Sequence, residues 1–260
     1  MLTMLLVIAA ILYVALQVED RLRIPAPLGL IAGSLVAHQT LGAPRLTDDP
    51  ERFAELVLFL LPILLISDAM ELRLKDLRQH ALSLFYLAVV AVAASVLVGL
   101  AVAVWLFPYL SAPAVIALFA MVLATDPVSV VSIFSKFALP HRLKLLAEGE
   151  SLFNDATALI VYVFIGLYAL GGGELSAGYV GKVSVLVGLG SVLVGLVAGA
   201  IGFALLKATE NRVAEMIALI ATGYGAFALA EHFADLLGWL GVHAHLHFSG
   251  ILAVIVATIA

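Results

Sequence analysis

The sequence predicts an all-α fold, a polytopic membrane helix bundle, and three observations lead there. Hydrophobic residues make up 64% of the 260 positions and charged residues 12%, with a mean hydropathy of +1.17. Soluble domains lie nearer ~45–50% apolar and about 25% charged. The apolar residues also gather into runs of about 17–25, the length of a helix that crosses a bilayer, and no strand-like alternation points to a barrel. The net charge of −5 carries little information, since position outweighs sum in a bilayer. Cysteine is absent from the sequence, which excludes disulfides and thiolate metal sites. Linker, low-complexity tract and second domain are all missing from view, so residues 1–260 read as one transmembrane domain.

Leu2–Val18 is the first run, and it lacks the basic start and small-residue cleavage site of a signal peptide. Ile24–Gly42 follows, with Pro25 and Pro27 at its start, where a missing N–H costs least. Phe53–Ala69, Leu82–Phe107 and Pro113–Phe134 come next, then Leu145–Leu170, Gly181–Leu206 and Val213–Leu237. A ninth begins near His247 and is still running at Ala260. From Phe248 it holds 13 residues, or ~20 Å at 1.5 Å each against a ~30 Å hydrocarbon core. The expectation is therefore a fragment, about nine helices with C-terminal ones missing.

Basic residues sort the loops. Those after runs 1, 3, 5 and 7, with the adjoining helix ends, hold Arg21, Arg23, Arg73, Lys75, Arg78, Lys136, Arg142, Lys144, Lys207 and Arg212. The others hold only Arg45, Arg52 and Lys182 of the 13. The positive-inside rule then expects the N-terminus outside and the odd loops in the cytoplasm, in the inner (plasma) membrane if the source is bacterial. Run 7 carries Gly188, Gly190, Gly195, Gly199 and Gly202, which suits close helix packing more than a dedicated dimer seam.

The informative stretch is Ala124–Asp155, where Thr125-Asp126-Pro127 interrupts run 5 and Glu150-Ser151 with Asn154-Asp155 opens run 6. A carboxylate within a span costs roughly 2.5–3.5 kcal/mol on insertion scales, so it persists where it faces a cavity, a partner or an ion. Pro127 donates no N–H and disfavours the helical conformation at Asp126, so the helix should break and leave carbonyls near Thr125 free. Such backbone at membrane depth is tolerated only inside protein or along a wet cavity, and it is common in secondary transporters. A plain proline kink with neutral Asp126 bonded to Thr125 is the simpler alternative. On run 6, Ser151 and Asp155 lie about 40° apart and share a stripe, whereas Glu150 is about 140° from Asp155, beside Asn154. Ser151 and Asp155 thus offer an oxygen facet of the kind that hard cations take. Glu148 reads as a first-turn acid favoured by the helix dipole, and Glu150 shares that reading in part.

TDP followed by Glu150-Ser-Leu-Phe-Asn-Asp155 resembles the monovalent cation:proton antiporter family, the sodium/proton exchangers. Leu61-Pro-Ile-Leu-Leu-Ile-Ser-Asp-Ala69, Ala228-Leu-Ala-Glu231 and the segment from Ser249 extend the likeness along the chain. The resemblance implies an inverted-repeat antiporter fold, present here in its N-terminal two-thirds. It implies a secondary transporter working by alternating access, not an enzyme, without cofactor, moving Na⁺ (or K⁺ or Li⁺) against H⁺ for sodium transport and pH homeostasis. Asp155 would bind either ion; Ser151 and the Thr125 backbone would complete the Na⁺ site, with Asp68 as a further ligand where the family usually has Glu. Asp126, Asn154 and Glu150 would hold its shape, Glu150 through an arginine on a later helix. The Asn154-Asp155 pair resembles the electroneutral branch. The partners implied are the lipid bilayer, the two ions and, at full length, a second copy; no nucleic acid is expected.

Three rival readings remain at this stage. An intramembrane aspartic protease would use paired carboxylates, but its G-x-G-D motif does not occur here. A channel would need a filter-like segment. A truncated membrane fragment would insert without transporting, because helices that face the interrupted one would be missing. His243, His245 and His247 form an H-x-H-x-H run that is either an ordinary outer loop or a zinc or pH site. Glu231 belongs either to a vestibule or to a pair with His232 or a neighbouring helix.

Overall fold

The computed structural model describes residues 2–22, 24, 26–41, 49–125, 140–233 and 248–260. These residues are helical with short connections: α1 Leu2–Leu22, α2 Ala26–Leu41, α3 Pro50–Glu71, and α4, which continues through Leu74–Phe85, Tyr86–Ala91 and Val92–Leu106. After these come α5 Ala112–Leu123, α6 His141–Leu170, α7 Ala177–Lys207, α8 Arg212–Glu231 and α9 Gly250–Ile259. The middle of α4 and residues Val161–Leu167 of α6 are wound as π-helix. Five of the helices are long and apolar enough to cross a membrane: Glu51–Glu71, Leu74–Ala103, His141–Leu170, Ala177–Lys207 and Arg212–Glu231. The chain is an all-helical membrane bundle.

Short polar residues start several helices. Ser111 accepts from the Ala114 N–H at 3.4 Å, Ser176 from Tyr179 at 3.0 Å, Asn211 from Val213 at 2.9 Å and Ser249 from Leu252 at 3.3 Å. Each satisfies one of the donors that a helix start leaves orphaned, a demand sharper in lipid than in water. Several expected starts move, two of them across charged turns. The fourth helix begins at Leu74, not Leu82, and the sixth at His141, not Leu145. Lys75, Asp76 and Arg78 in the one, and His141, Arg142 and Lys144 in the other, resemble loop by hydropathy while forming amphipathic first turns. Glu148 and Glu150 consequently stand two turns or more inside α6, so the first-turn dipole account of them does not hold. Lys144 holds Glu148 instead, with Nζ 3.2 Å from Oε1, an ion pair whose geometry falls short of a hydrogen bond.

The chain divides into two compact units, residues 1–60 and 61–260. In the first, α1 and α2 pack through small residues: a Cβ added at Gly29 would meet Ala15 Cβ at 3.1 Å, and one at Gly33 would meet Ile11 Cγ2 at 2.8 Å. In the second, the core joins Leu65, Ile66, Ala69, Leu84, Leu152, Val254 and Ile255 from four helices. Three tight approaches set its geometry. Gly166 in the π segment of α6 lies against the backbone of Ala117 in α5. Gly195 and Gly199 of α7 lie against the carbonyls of Ala253 and Ala257 in α9, and Gly202 meets Thr222 of α8. Gly195, Gly199 and Gly202 of α7 thus serve packing within the chain. Ser191 is fully buried in this seam; it donates to the Val187 carbonyl at 2.6 Å and accepts from the Ser249 N–H at 2.8 Å.

A Cβ at Gly195 would stand 2.7 Å from the Ala253 carbonyl oxygen, whereas one at Gly188 meets no atom within 4 Å among the described residues. Gly195→Val should therefore destabilise the protein by about 1–3 kcal/mol, the range for overpacking. Gly188→Val should stay within about 0.5 kcal/mol of wild type. Thermal unfolding in detergent reads both, and equal effects would remove the close-approach account of α7.

Candidate functional site

The candidate site lies where α5 ends against the first half of α6. Helical bonding stops at Leu123, and Ala124 is extended, with φ −64° and ψ 117°. The sequence supplies one cause. In a continued helix the Leu123 carbonyl would accept from residue 127, and Pro127 has no N–H to give. That carbonyl still needs a donor, because an unsatisfied one is costly in an apolar medium.

Side chains of α6 supply the donors. Asn154 Nδ2 lies 2.7 Å from the Leu123 carbonyl, 3.3 Å from Thr125 Oγ1 and 3.3 Å from Glu150 Oε1. Its two N–H groups are thus shared among three acceptors, with the Leu123 contact the shortest. The Ser151 hydroxyl donates to the Thr125 carbonyl. Asn154 and Ser151 are 2% and 3% exposed, so water does not compete for these bonds. Asn154 Oδ1 is also buried and accepts no hydrogen bond among the described residues.

Asp155 follows directly. It is half-buried on α6, one turn beyond Ser151. The structure therefore brings Thr125, Glu150, Ser151 and Asn154 into one bonded group, with Asp155 adjacent in the chain. Asp68 is exposed on α3, three residues before that helix ends. Asp126 and the run His243, His245 and His247 lie outside the described residues. Among the described residues no three His, Asp or Glu side chains converge as a metal cluster. The oxygens at hand are instead a hydroxyl, backbone carbonyls and carboxylates, which are hard ligands.

Glu231 is accounted for by a neighbouring helix: its Oε1 accepts from the Gly250 N–H at 3.1 Å, the first residue of α9. A carboxylate there also meets the positive end of that helix. On the α3–α4 side, Lys144 lies 3.9 Å from Glu71 and His141 3.6 Å from Asp76, joining the start of α6 to the turn between α3 and α4. Exposed pairs of this kind contribute roughly 0–1 kcal/mol each. The residue that sequence reasoning missed is Leu123, which acts through its carbonyl; the available signal was a proline four positions on.

A helix end in a membrane bundle, its freed carbonyls held by a neighbouring helix that also carries an acid, defines a polytopic membrane protein with a polar junction between two of its helices. The family model described as "Sodium/hydrogen exchanger, transmembrane" matches residues 6–260, and the chain belongs to that family. Among curated proteins it is 32% identical over 192 residues to the Na⁺/H⁺ antiporter ApNhaP of Aphanothece halophytica, covering 72% of this chain and 35% of that one. It is 28% identical over 266 aligned positions to the Na⁺/H⁺ antiporter NhaH of Halobacillus dabanensis, covering 97% and 61%. With the Na⁺/H⁺ antiporter NhaP of Pseudomonas aeruginosa it shares 28% over 257 residues, covering 91% and 57%. The chain thus spans between about a third and three-fifths of the length of these relatives.

Among the described residues the Asn154 amide is the donor that reaches the Leu123 carbonyl, so replacement should be felt. Asn154→Leu leaves that carbonyl unsatisfied and should cost about 1–3 kcal/mol. Asn154→Asp should cost more at neutral pH, because a carboxylate would face the Leu123 carbonyl and the Glu150 carboxylate, acceptors all. Acid pH should restore part of the loss as the new carboxyl gains a proton to donate. Thermal unfolding in detergent across pH checks this; a neutral-pH Asp variant as stable as wild type would show that the amide is not what holds the broken end.

Proposed function

We propose that this chain carries the ion-exchanging centre of a sodium/proton antiporter, with Asp155 binding either Na⁺ or H⁺. The observation that carries the reading is the bonded junction of Ser151 and Asn154 with the backbone at Leu123 and Thr125. It fixes a broken helix end beside Asp155 and leaves oxygen atoms, not nitrogen or sulfur, as the nearby ligand chemistry. Na⁺ is written here as cargo. Ser151 Oγ, the Thr125 carbonyl and the Asp155 carboxylate would line its place, with Asp68 as a further candidate, while Asp126, Asn154 and Glu150 keep the shape. K⁺ or Li⁺ would meet the same ligand chemistry.

Exchange follows from competition at one carboxylate. Burial disfavours its charged form and a cation favours it, so proton and cation occupy it in turn. Alternating exposure of that carboxylate to the two sides then couples the flows, through rocking of one part of the bundle against another. This chemistry needs no cofactor and makes no covalent bond. The loop charges favour the N-terminus outside and, for a bacterial source, the inner membrane. Relatives named as antiporters support the reading, and the homodimer belongs to the same proposal.

The test uses residues 1–260 joined to the part of the Halobacillus dabanensis relative outside its matched region, reconstituted in liposomes with a trapped pH dye. Asp155→Asn keeps shape and removes the titrating charge, so Na⁺-driven proton movement should disappear in a folded protein. Exchange at the wild-type rate by that variant would end the proposal. In the unmutated protein, apparent Na⁺ affinity should fall roughly tenfold per pH unit below the point where the shared carboxylate protonates. An affinity independent of pH over that whole range would require separate sites for the two ions.

A further inference from the structure

Glu148 stands on α6 outside the bonded group of the candidate site, and its side chain is only 14% exposed. Its Oε1 is buried, with Lys144 Nζ 3.2 Å away. Lys144 also stands 3.9 Å from Glu71 of α3. One ammonium is thus shared by two carboxylates, and a net negative charge remains where the three meet. Stability does not explain the arrangement. An i,i+4 ion pair contributes little, and burying a carboxylate costs more than such a pair returns.

Position supplies a reason. Glu148 and Asp155 both lie in the regular α-helical part of α6, His141–Ile160, about two turns apart. At about 100° per residue they are separated by roughly 20° around the helix, and Ser151 lies roughly 40° from Asp155 on the other side. Glu148 therefore continues the Ser151–Asp155 stripe toward the start of α6, ~10 Å along the axis from Asp155. That is too far for the two acids to share an ion, and near enough for one to act on it through its field. Unit charges ~10 Å apart at an effective dielectric of about 20 change an equilibrium constant roughly tenfold, and roughly threefold once salt screens them.

We propose that Glu148 sets the cation affinity of the Asp155 site through its charge, with Lys144 as the counter-charge that limits it. The inference rests on the antiporter reading above. Glu148 touches no transported ion. Its carboxylate makes the potential more negative along the stripe where a cation would sit, and Lys144, one turn nearer the helix start, offsets it. Because Lys144 is drawn to Glu71 as well, the offset is incomplete and the stripe keeps its attraction for a cation. The second ion pair of this region, His141 with Asp76 at 3.6 Å, lies a further turn or more from Asp155 and acts more weakly.

The joined protein described above is assayed in liposomes at one alkaline pH, where proton competition is least, with ionic strength held constant by choline chloride. Half-saturating Na⁺ is the readout. Glu148→Gln is isosteric and leaves Lys144 its Glu71 partner; it should raise half-saturating Na⁺ roughly three- to tenfold. Lys144→Gln should lower it, and the double variant should lie between the two. Charge reversal separates a field from a scaffold. Glu148→Lys with Lys144→Glu keeps an ion pair at the same spacing and puts the cation nearer Asp155, so half-saturating Na⁺ should rise at least as far as in Glu148→Gln. A folded reversed pair with wild-type Na⁺ dependence would overturn the proposal, as would single variants that shift in the same direction. Lys207→Gln, which removes a cation held over Phe203 of α7, should leave half-saturation unchanged. A shift there equal to that of Lys144→Gln would make the effect one of overall charge and overturn the assignment to Glu148. Asp155→Asn is measured alongside: exchange that survives it ends the antiporter reading, whereas exchange that requires Asp155 and ignores the charge at residue 148 ends this inference alone.

Discussion

The interaction on which this structure turns is the transfer of two backbone carbonyls from a broken helix to the side chains of its neighbour. In water, the Leu123 and Thr125 carbonyls could hydrate at little cost. At membrane depth they need protein donors, and the buried Asn154 amide and Ser151 hydroxyl supply them. The break in α5 is thus stable only because α6 stands beside it in one rotational setting. That same setting fixes the direction of Asp155, one residue after Asn154 and one turn after Ser151. A local defect in one helix and the placement of an acid on the next are a single constraint.

Close approach makes that constraint reachable. Gly166 lets the π segment of α6 touch the backbone of α5 near Ala117, on the far side of the junction from its entry turns. Gly149, where a Cβ would meet Leu84 Cδ2 at 2.9 Å, does the same for α6 against α4. Lipid offers helices little hydrophobic reason to associate, so contact area between small residues carries much of the burden. On the other side of the second unit, α7, α8 and α9 repeat the device, with a buried serine pair and the Glu231 cap satisfying the polar groups that tight packing would otherwise strand.

The outer surface has the opposite character. Leu186, Leu189, Leu193 and Val197 of α7 are exposed, as are Leu97, Val98 and Trp105 of α4. Patches of this size on a soluble protein would mark a docking surface, whereas on spans of this length an apolar surface is also what hydrocarbon requires. Apart from Glu148, Glu150 and Asp155 of α6, the charged groups of the described residues lie near helix ends, where Lys144 joins Glu71 and His141 approaches Asp76. A bundle that is apolar outside and polar at one internal junction has separated its solvent requirement from its chemistry.

By itself the sequence determined the all-helical membrane class, the end of a helix near Thr125 and the pairing of Ser151 with Asp155 on one stripe. These follow from local properties: transfer free energy summed over a run, a proline's missing N–H, and the 3.6-residue period. The starts at Leu74 and His141 escaped it, because charged first turns look like loop to a hydropathy reading although their other face packs. Only the tertiary structure decided that Asn154 serves the Leu123 carbonyl, that Lys144 holds Glu148, that Glu231 caps α9, and that Gly195, Gly199 and Gly202 of α7 meet α9 and α8. Each of these joins residues on different helices or depends on where a helix begins, and a chain read one position at a time carries no distance between its helices.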